Sequence, residues 1–179
     1  MKLLAMFFFV FIVKEIRAQG FEKNQFSIIA NVGLDNEIMS GKDKTSYYFG
    51  LDGGLFVSNC VNLGLNFGVN NIADISDNFF MRFKSTFYAT PKNKFSLFGS
   101  ISAGYFETKL QGEQFKGYDF FINPGVNYFV TDAFAINASV GNIGYKTYKS
   151  DSNKNIKSEE IKLDFNFSQI TIGLLYRHK

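Results

Sequence analysis

Apolar and polar residues alternate strictly over residues 62–70, where Leu63, Leu65, Phe67 and Val69 are interleaved with Asn62, Gly64, Asn66, Gly68 and Asn70. A period of two places these sets on opposite faces of a β-strand, whereas a helix would mix them. The same alternation predicts strands over 26–34, 47–57, 79–89, 95–106, 118–130 and 134–140, with an eighth closing through 170–177. Bulky residues such as Phe49, Leu51, Met81, Phe83, Leu97 and Ile122 oppose small or polar ones such as Gly50, Asp52, Arg82, Lys84, Ser100 and Asn123. In the last strand Ile170, Ile172, Leu174 and Tyr176 share a face, but Phe165 and Phe167 lie in the other phase. A bulge near Ser168 and Gln169 reconciles them.

Three of the gaps between strands repeat one phrase: an aromatic, a small apolar residue, a hydroxyl residue and a turn former. The copies are Phe56-Val57-Ser58-Asn59, Tyr88-Ala89-Thr90-Pro91 and Phe129-Val130-Thr131-Asp132. Asn, Pro and Asp each suit a tight reversal, so these read as hairpin turns. The other connections, at about 35–46, 71–78, 107–117 and 142–160, are longer and polar. Short turns alternating with long loops organise a transmembrane up-and-down β-barrel, with both termini on the short-turn side.

Which face meets lipid follows from bulk. A soluble barrel of lipocalin type would carry its bulk inside and be polar outside. Here the small face is Gly, Ser and Asn, so the bulky face must meet hydrocarbon, and an eight-stranded lumen filled by small polar residues is packed rather than open. Tyr88, Phe95, Tyr128, Phe134 and Tyr176 fall near the short-turn end and Tyr47, Phe79, Tyr105 and Tyr118 near the long-loop end. They form two candidate aromatic girdles at the lipid interfaces. The fold class is therefore all-β, an eight-stranded antiparallel transmembrane barrel.

Composition agrees with this and adds a leader. The 179 residues include 23 Phe, 9 Tyr and 16 Gly but only 2 Pro, a mixture suited to pleated strands in one domain. Residues 1–18 read as a secretory signal, with Lys2 as the charged start, an apolar run from Leu3 to Val13, and cleavage after Ala18. Lys14, Glu15, Ile16 and Arg17 fit the cleavage region poorly, so an uncleaved anchor is the other reading. Residues 19–179 are the barrel domain. The net charge of +3 falls to near +1 once Lys2, Lys14 and Arg17, less Glu15, are removed, which gives nucleic-acid binding no electrostatic support. The single cysteine, Cys60, excludes an internal disulfide and reads as a small turn residue.

These residues resemble a family: small outer-membrane β-barrels of the OmpA and OmpX type, particularly the compact barrel domain of the Bacteroidetes. Tyr128-Phe129-Val130-Thr131-Asp132 followed by Ile136 resembles that family's recurrent periplasmic hairpin, and Phe56-Val57-Ser58-Asn59 followed by Leu63-Gly64 is a second copy. Gly173-Leu174-Leu175-Tyr176-Arg177-His178 resembles its closing strand, although the family pattern ends on an aromatic where this chain has His178 and Lys179. The resemblance implies the bacterial outer membrane as location. The partners it implies are membrane lipids, lipopolysaccharide among them, and the outer-membrane assembly machinery acting through the last strand. A monomer is expected, with no cofactor and no nucleic-acid partner.

Candidate chemistry is sparse. Asp52, Arg82, Lys84 and Asp119 are the ionisable residues on the inward face, and charges in a water-poor lumen persist only when paired. They are expected to form a structural charge network, with a gate or ligand contact as the other possibility. The double change Asp52→Asn with Arg82→Gln should then disturb folding less than either single change. His178, the only histidine, sits near the terminus without a motif serine or carboxylate, and one His with one Cys cannot furnish a zinc shell. Pro124 falls inside a predicted strand, where a bulge, or alternatively a lateral opening, would accommodate it. Lys146, Lys149, Lys154 and Lys157 lie among Asp151, Glu159 and Glu160 in the last long connection, which reads as a solvated loop or a contact for lipid phosphates or protein. The expected function is a non-catalytic structural or surface-interaction protein of the envelope. A narrow, porin-like channel for ions or small solutes is the alternative, and a soluble ligand-binding barrel a third reading.

Overall fold

The computed structural model describes residues 21–39, 42–72, 76–110, 113–150, 157–164 and 170–178. They form β1 (Phe26–Met39), β2 (Lys42–Phe56), β3 (Val61–Ile72), β4 (Ser76–Tyr88), β5 (Phe95–Leu110), β6 (Glu113–Phe129), β7 (Phe134–Val140), β8 (Asn142–Ser150), β9 (Lys157–Asp164) and β10 (Ile170–His178). All pairings are antiparallel. Strands β1 to β6 pair in chain order, β6 then pairs with β7 over 125–129 and with β8 over 115–122, β9 pairs with β8, and β10 pairs with both β7 and β1. Thus β7 and β8 are halves of one strand, β9 and β10 follow one another along the next, and eight strands close a barrel. The expected leader, 1–18, lies outside the described residues.

The break between β7 and β8 is a bulge. Val140, Gly141 and Asn142 lie opposite only Asn123 and Pro124, and Gly141 takes a φ of 68°, a left-handed value that side chains resist. Asn123 Nδ2 donates to the Gly141 carbonyl at 3.2 Å. The bulge expected at Pro124 is therefore present, with its extra residue on the facing strand. It also flips the side-chain phase: Phe134 and Ile136 point outward in β7, and Ile143 and Tyr145 in β8. Between Leu163 and Ile170, both outward-facing, the phase changes again. The bulge expected at Ser168 and Gln169 falls outside the described residues.

The outer wall carries apolar side chains around its circumference, among them Phe83 at 75% exposure, Phe87 at 55% and Leu63 at 47%. An apolar surface continuous around a closed sheet is tolerated where hydrocarbon, not water, is the neighbour. No helix among the described residues is long and apolar enough to cross a membrane.

The long connections are shorter than their polarity predicts. β5 and β6 stay paired out to Leu110 and Glu113, β3 and β4 to Ile72 and Ser76, and β8 and β9 to Lys149 and Lys157. Beyond the apolar band no face needs to be greasy, so the alternation fades while backbone pairing continues. Lys146, Lys149 and Lys157 accordingly sit on strands; Asp151 and Lys154 lie outside the described residues.

Candidate functional site in the barrel lumen

The repeated turn phrase explains how one end of the lumen is built. Its hydroxyl closes the turn: Ser58 Oγ accepts from the Cys60 and Val61 amides at 3.3 and 3.1 Å, and Thr131 Oγ1 from the Ala133 and Phe134 amides at 3.2 and 3.1 Å. Thr90 Oγ1 accepts from the Leu97 amide at 3.0 Å. The small apolar residue points out. The aromatic points in, so that Phe56, Tyr88 and Phe129 converge inside the barrel.

Phe21 fills the space between them. Its ring stacks on Phe56 at 4.2 Å, lies 4.3 Å from Tyr88 and meets Phe129 edge-on at 5.3 Å between centroids. Residues 21–25 are held in place by the Asn24 amide on the Phe56 carbonyl at 2.7 Å and by the Phe56 amide on the Gln25 carbonyl at 2.9 Å. Arg177 covers the cluster with its guanidinium 5.0 Å from the Phe129 ring and 5.5 Å from Phe21, and its Nε donates to the Asp132 carbonyl. This short-turn end is sealed by aromatic rings.

The lumen is therefore not lined by small residues alone, as the sequence led one to expect. Phe80, Phe98, Phe106 and Phe121 also point inward and are buried. Inward glycines make room for them: a Cβ on Gly68 would strike Phe80, on Gly125 Phe98, and on Gly144 Phe121. Small and large positions interlock across the barrel. Tyr88, expected in the short-turn girdle, is 2% exposed and belongs to the seal; it follows Phe87 on the opposite face, as period two requires. The other girdle residues face outward or lie half-buried, with Phe95 against Tyr128 at 4.8 Å, Phe134 against Tyr176 at 5.0 Å and Tyr105 against Tyr118 at 5.9 Å.

Above the seal lie the four charged residues expected inside, Asp52, Arg82, Lys84 and Asp119; they do not exhaust the inward charges, since Arg177 over the seal and Lys146 at the far wall also turn in. Arg82 grips Asp119 with two bonds, Nε to Oδ1 at 2.8 Å and Nη2 to Oδ2 at 2.7 Å. It reaches across Gly104, the register neighbour of both, where a Cβ would collide with the arginine. Its guanidinium also lies 3.9 Å from the centre of the Phe80 ring and 4.9 Å from that of Phe121. Lys84 Nζ binds Asp52 Oδ2 at 2.6 Å, and Asp52 accepts further bonds from Asn31 at 3.3 Å and from Asn66. The ion pairs are thus Arg82–Asp119 and Lys84–Asp52. Asp52 and Arg82, coupled in the double change drawn from the sequence, belong to different pairs.

A polar cavity of about 260 Å³ occupies the remaining half of the lumen, toward the paired hairpins. Asn31, Asn66, Asn70, Asn78, Asn123, Asn137 and Asn142 line it, with Arg82, Lys84 and Lys146 at its wall. Phe106 and Phe121 lie 5.5 and 5.6 Å from Lys146 Nζ. Such a lining can hydrate or hold a small polar molecule. Among the described residues, neither a histidine nor a cysteine lines it.

The remaining candidates stay apart from the lumen. His178 is exposed at the end of β10, 3.4 Å from the Tyr176 hydroxyl. Cys60 is half-buried in the first turn, its thiol 3.6 Å from Ser58 Oγ. No three His, Cys, Asp or Glu side chains gather as a metal would require among the described residues.

No protein-family model and no curated protein sequence matches the chain. Solved structures do. The N-terminal β-barrel domain of OprF from Pseudomonas aeruginosa is similar with a TM-score of 0.53 and 16% identity, covering 89% of this chain and 100% of that domain. Neisserial surface protein A is similar with a TM-score of 0.58 and 10% identity, over 86% of this chain and 97% of its own. OprG from Pseudomonas aeruginosa gives 0.53 and 11%, over 89% and 98%. At these identities the likeness is one of fold, and the fold is the OmpA/OmpX-type transmembrane β-barrel of bacterial outer membranes.

Proposed function

We propose that the chain is an integral outer-membrane protein with a structural or surface-interaction role and no catalytic activity. The lumen carries this reading: Phe21, Phe56, Tyr88 and Phe129 pack into its short-turn end, and the ion pairs lie directly above them. A barrel plugged by its own side chains offers its outer wall and its projecting hairpins to partners. Residues 1–18 act as the export signal and residues 19–179 as the barrel. By the usual orientation of such barrels, the short turns face the periplasm and the hairpins the exterior. The partners are bilayer lipids, lipopolysaccharide among them, and the assembly machinery that reads β10; the protein works as a monomer.

The cavity of about 260 Å³ favours one second reading, a narrow channel gated at the seal. Conductance in planar bilayers separates the two. Wild-type protein should give no stable single-channel steps, and steady steps at moderate voltage would contradict the structural reading. Bulky residues at Gly64 or Gly125 do not make a clean block, because a Cβ at Gly64 meets the Gly53 carbonyl and one at Gly125 meets Phe98. Phe21→Ala is the better probe. A gated channel gains conductance, whereas a barrel sealed by the whole cluster stays silent.

A further inference from the structure

Three lysines share one cross-strand row on the outer wall. Lys116 of β6 is the register partner of Lys149 of β8, and Lys149 is the partner of Lys157 of β9. All three are in the outward phase: Tyr118, Tyr145 and Ile161 share their faces, and Phe115 and Tyr148, which alternate with Lys116 and Lys149, meet each other inside at 5.9 Å. One outward position below this row run Tyr105, Tyr118, Thr147 and Glu159, the two tyrosine rings 5.9 Å apart, and below them the apolar band with Phe120, Tyr145 and Ile161. The lysines are therefore about 7 Å further along the strands than the tyrosines, at the depth where lipid headgroups begin.

Like charges directly opposite one another on a sheet face are destabilising, and here two such contacts occur side by side. Acids border the row without interrupting it. Glu107 is the partner of Lys116, and Glu159 accepts from Lys157 at 2.5 Å. Lys149, at the centre, has a lysine on either side along its row. An anion held at headgroup level by flexible ammonium groups relieves that repulsion.

We infer that Lys116, Lys149 and Lys157 bind the phosphate of a phosphorylated lipid in the outer leaflet, whose acyl chains lie on Tyr118 and the apolar band of Phe120, Tyr145 and Ile161 beneath. This rests on the transmembrane placement proposed above and adds a site and a headgroup chemistry to it. Lys146, grouped with these residues by sequence, turns instead to the lumen.

Native mass spectrometry of the full protein in detergent micelles tests it, with a diphosphorylated lipid A and the same lipid stripped of phosphate as probes. Wild-type protein should retain the phosphorylated lipid preferentially. Lys149→Gln should weaken retention about fivefold, and the triple Lys116→Gln, Lys149→Gln, Lys157→Gln should abolish the preference. The triple change at Lys23, Lys92 and Lys94, at the opposite rim, should leave it intact. Equal retention of both lipids, an unchanged preference in the row variant, or displacement by millimolar inorganic phosphate would overturn the proposal. Extraction of the native protein from envelopes without detergent would instead remove the transmembrane reading itself, so the two failures are distinguishable.

Discussion

The two halves of the lumen solve one packing problem by opposite means. At the short-turn end the interior of an eight-stranded barrel is filled by aromatic rings, with Phe21 against Phe56, Tyr88 and Phe129, and Phe56 against Tyr88. Toward the hairpins it is filled by amides, two ion pairs and a cavity of about 260 Å³. The first half is stabilised by removing apolar surface from water. The second is held by hydrogen bonds that must all be made, because a buried charge without its partner is expensive. One half should therefore respond to lost volume and the other to lost complementarity.

The largest effect is expected from Phe56→Ala. Phe56 is fully buried and touches both Phe21 and Tyr88, so a cavity in the seal should cost about 3–5 kcal/mol in urea unfolding from lipid vesicles. Next comes the bidentate pair. Arg82→Gln leaves the Asp119 carboxylate, whose side chain has 0% exposure, without its cation, at a cost of about 3 kcal/mol. The double change Arg82→Gln with Asp119→Asn should recover most of that loss, while Arg82→Gln with Asp52→Asn should not. Recovery in the crossed double and not in the matched one would break the assignment of partners.

Much of this contrast was readable in the chain, but unevenly. Period two put Asp52, Arg82, Lys84 and Asp119 inward, yet pairing depends on register. The needed signal was Gly104, an inward glycine lying between Arg82 and Asp119 in the ladder. The seal was also written in phase, since Phe56, Tyr88 and Phe129 each follow an outward residue by one. Reading them only as turn markers or girdle residues hid their convergence. Phe21 had no such signal, because it precedes the first alternating stretch and is placed by backbone bonds to Phe56 and Gln25. The hairpins were underestimated because polar strands lose their hydrophobic rhythm without losing their ladders. The Gly141 bulge was half visible, through Pro124 on the opposite strand.

Smaller effects refine the comparison at the rims. Ser58→Ala removes the acceptor for two turn amides and should cost about 1 kcal/mol, with Thr131→Ala similar, read from the same urea titration. At the hairpin rim the hydrogen bond from Lys157 holds the Glu159 carboxyl below its ordinary range and the ammonium above its own. Any stabilisation from Glu159 is present above the ordinary carboxylate range and lost as the pH falls from there through the lowered value of the folded protein. Both groups are exposed, so Glu159→Gln should leave the unfolding midpoint unchanged within error across that range.

Strand β5 carries both halves of the lumen, and labelling along it offers the most direct test. Ser96 is fully buried at the seal end, whereas Ser102 lines the cavity. In a Cys60→Ser background, Ser96→Cys and Ser102→Cys in lipid vesicles would be exposed to a small, membrane-impermeant thiol reagent from each side in turn. A lumen sealed at one end predicts that Cys at 102 reacts from the hairpin side only and Cys at 96 from neither side. Reaction of both positions from both sides would reveal a continuous water path and contradict the seal.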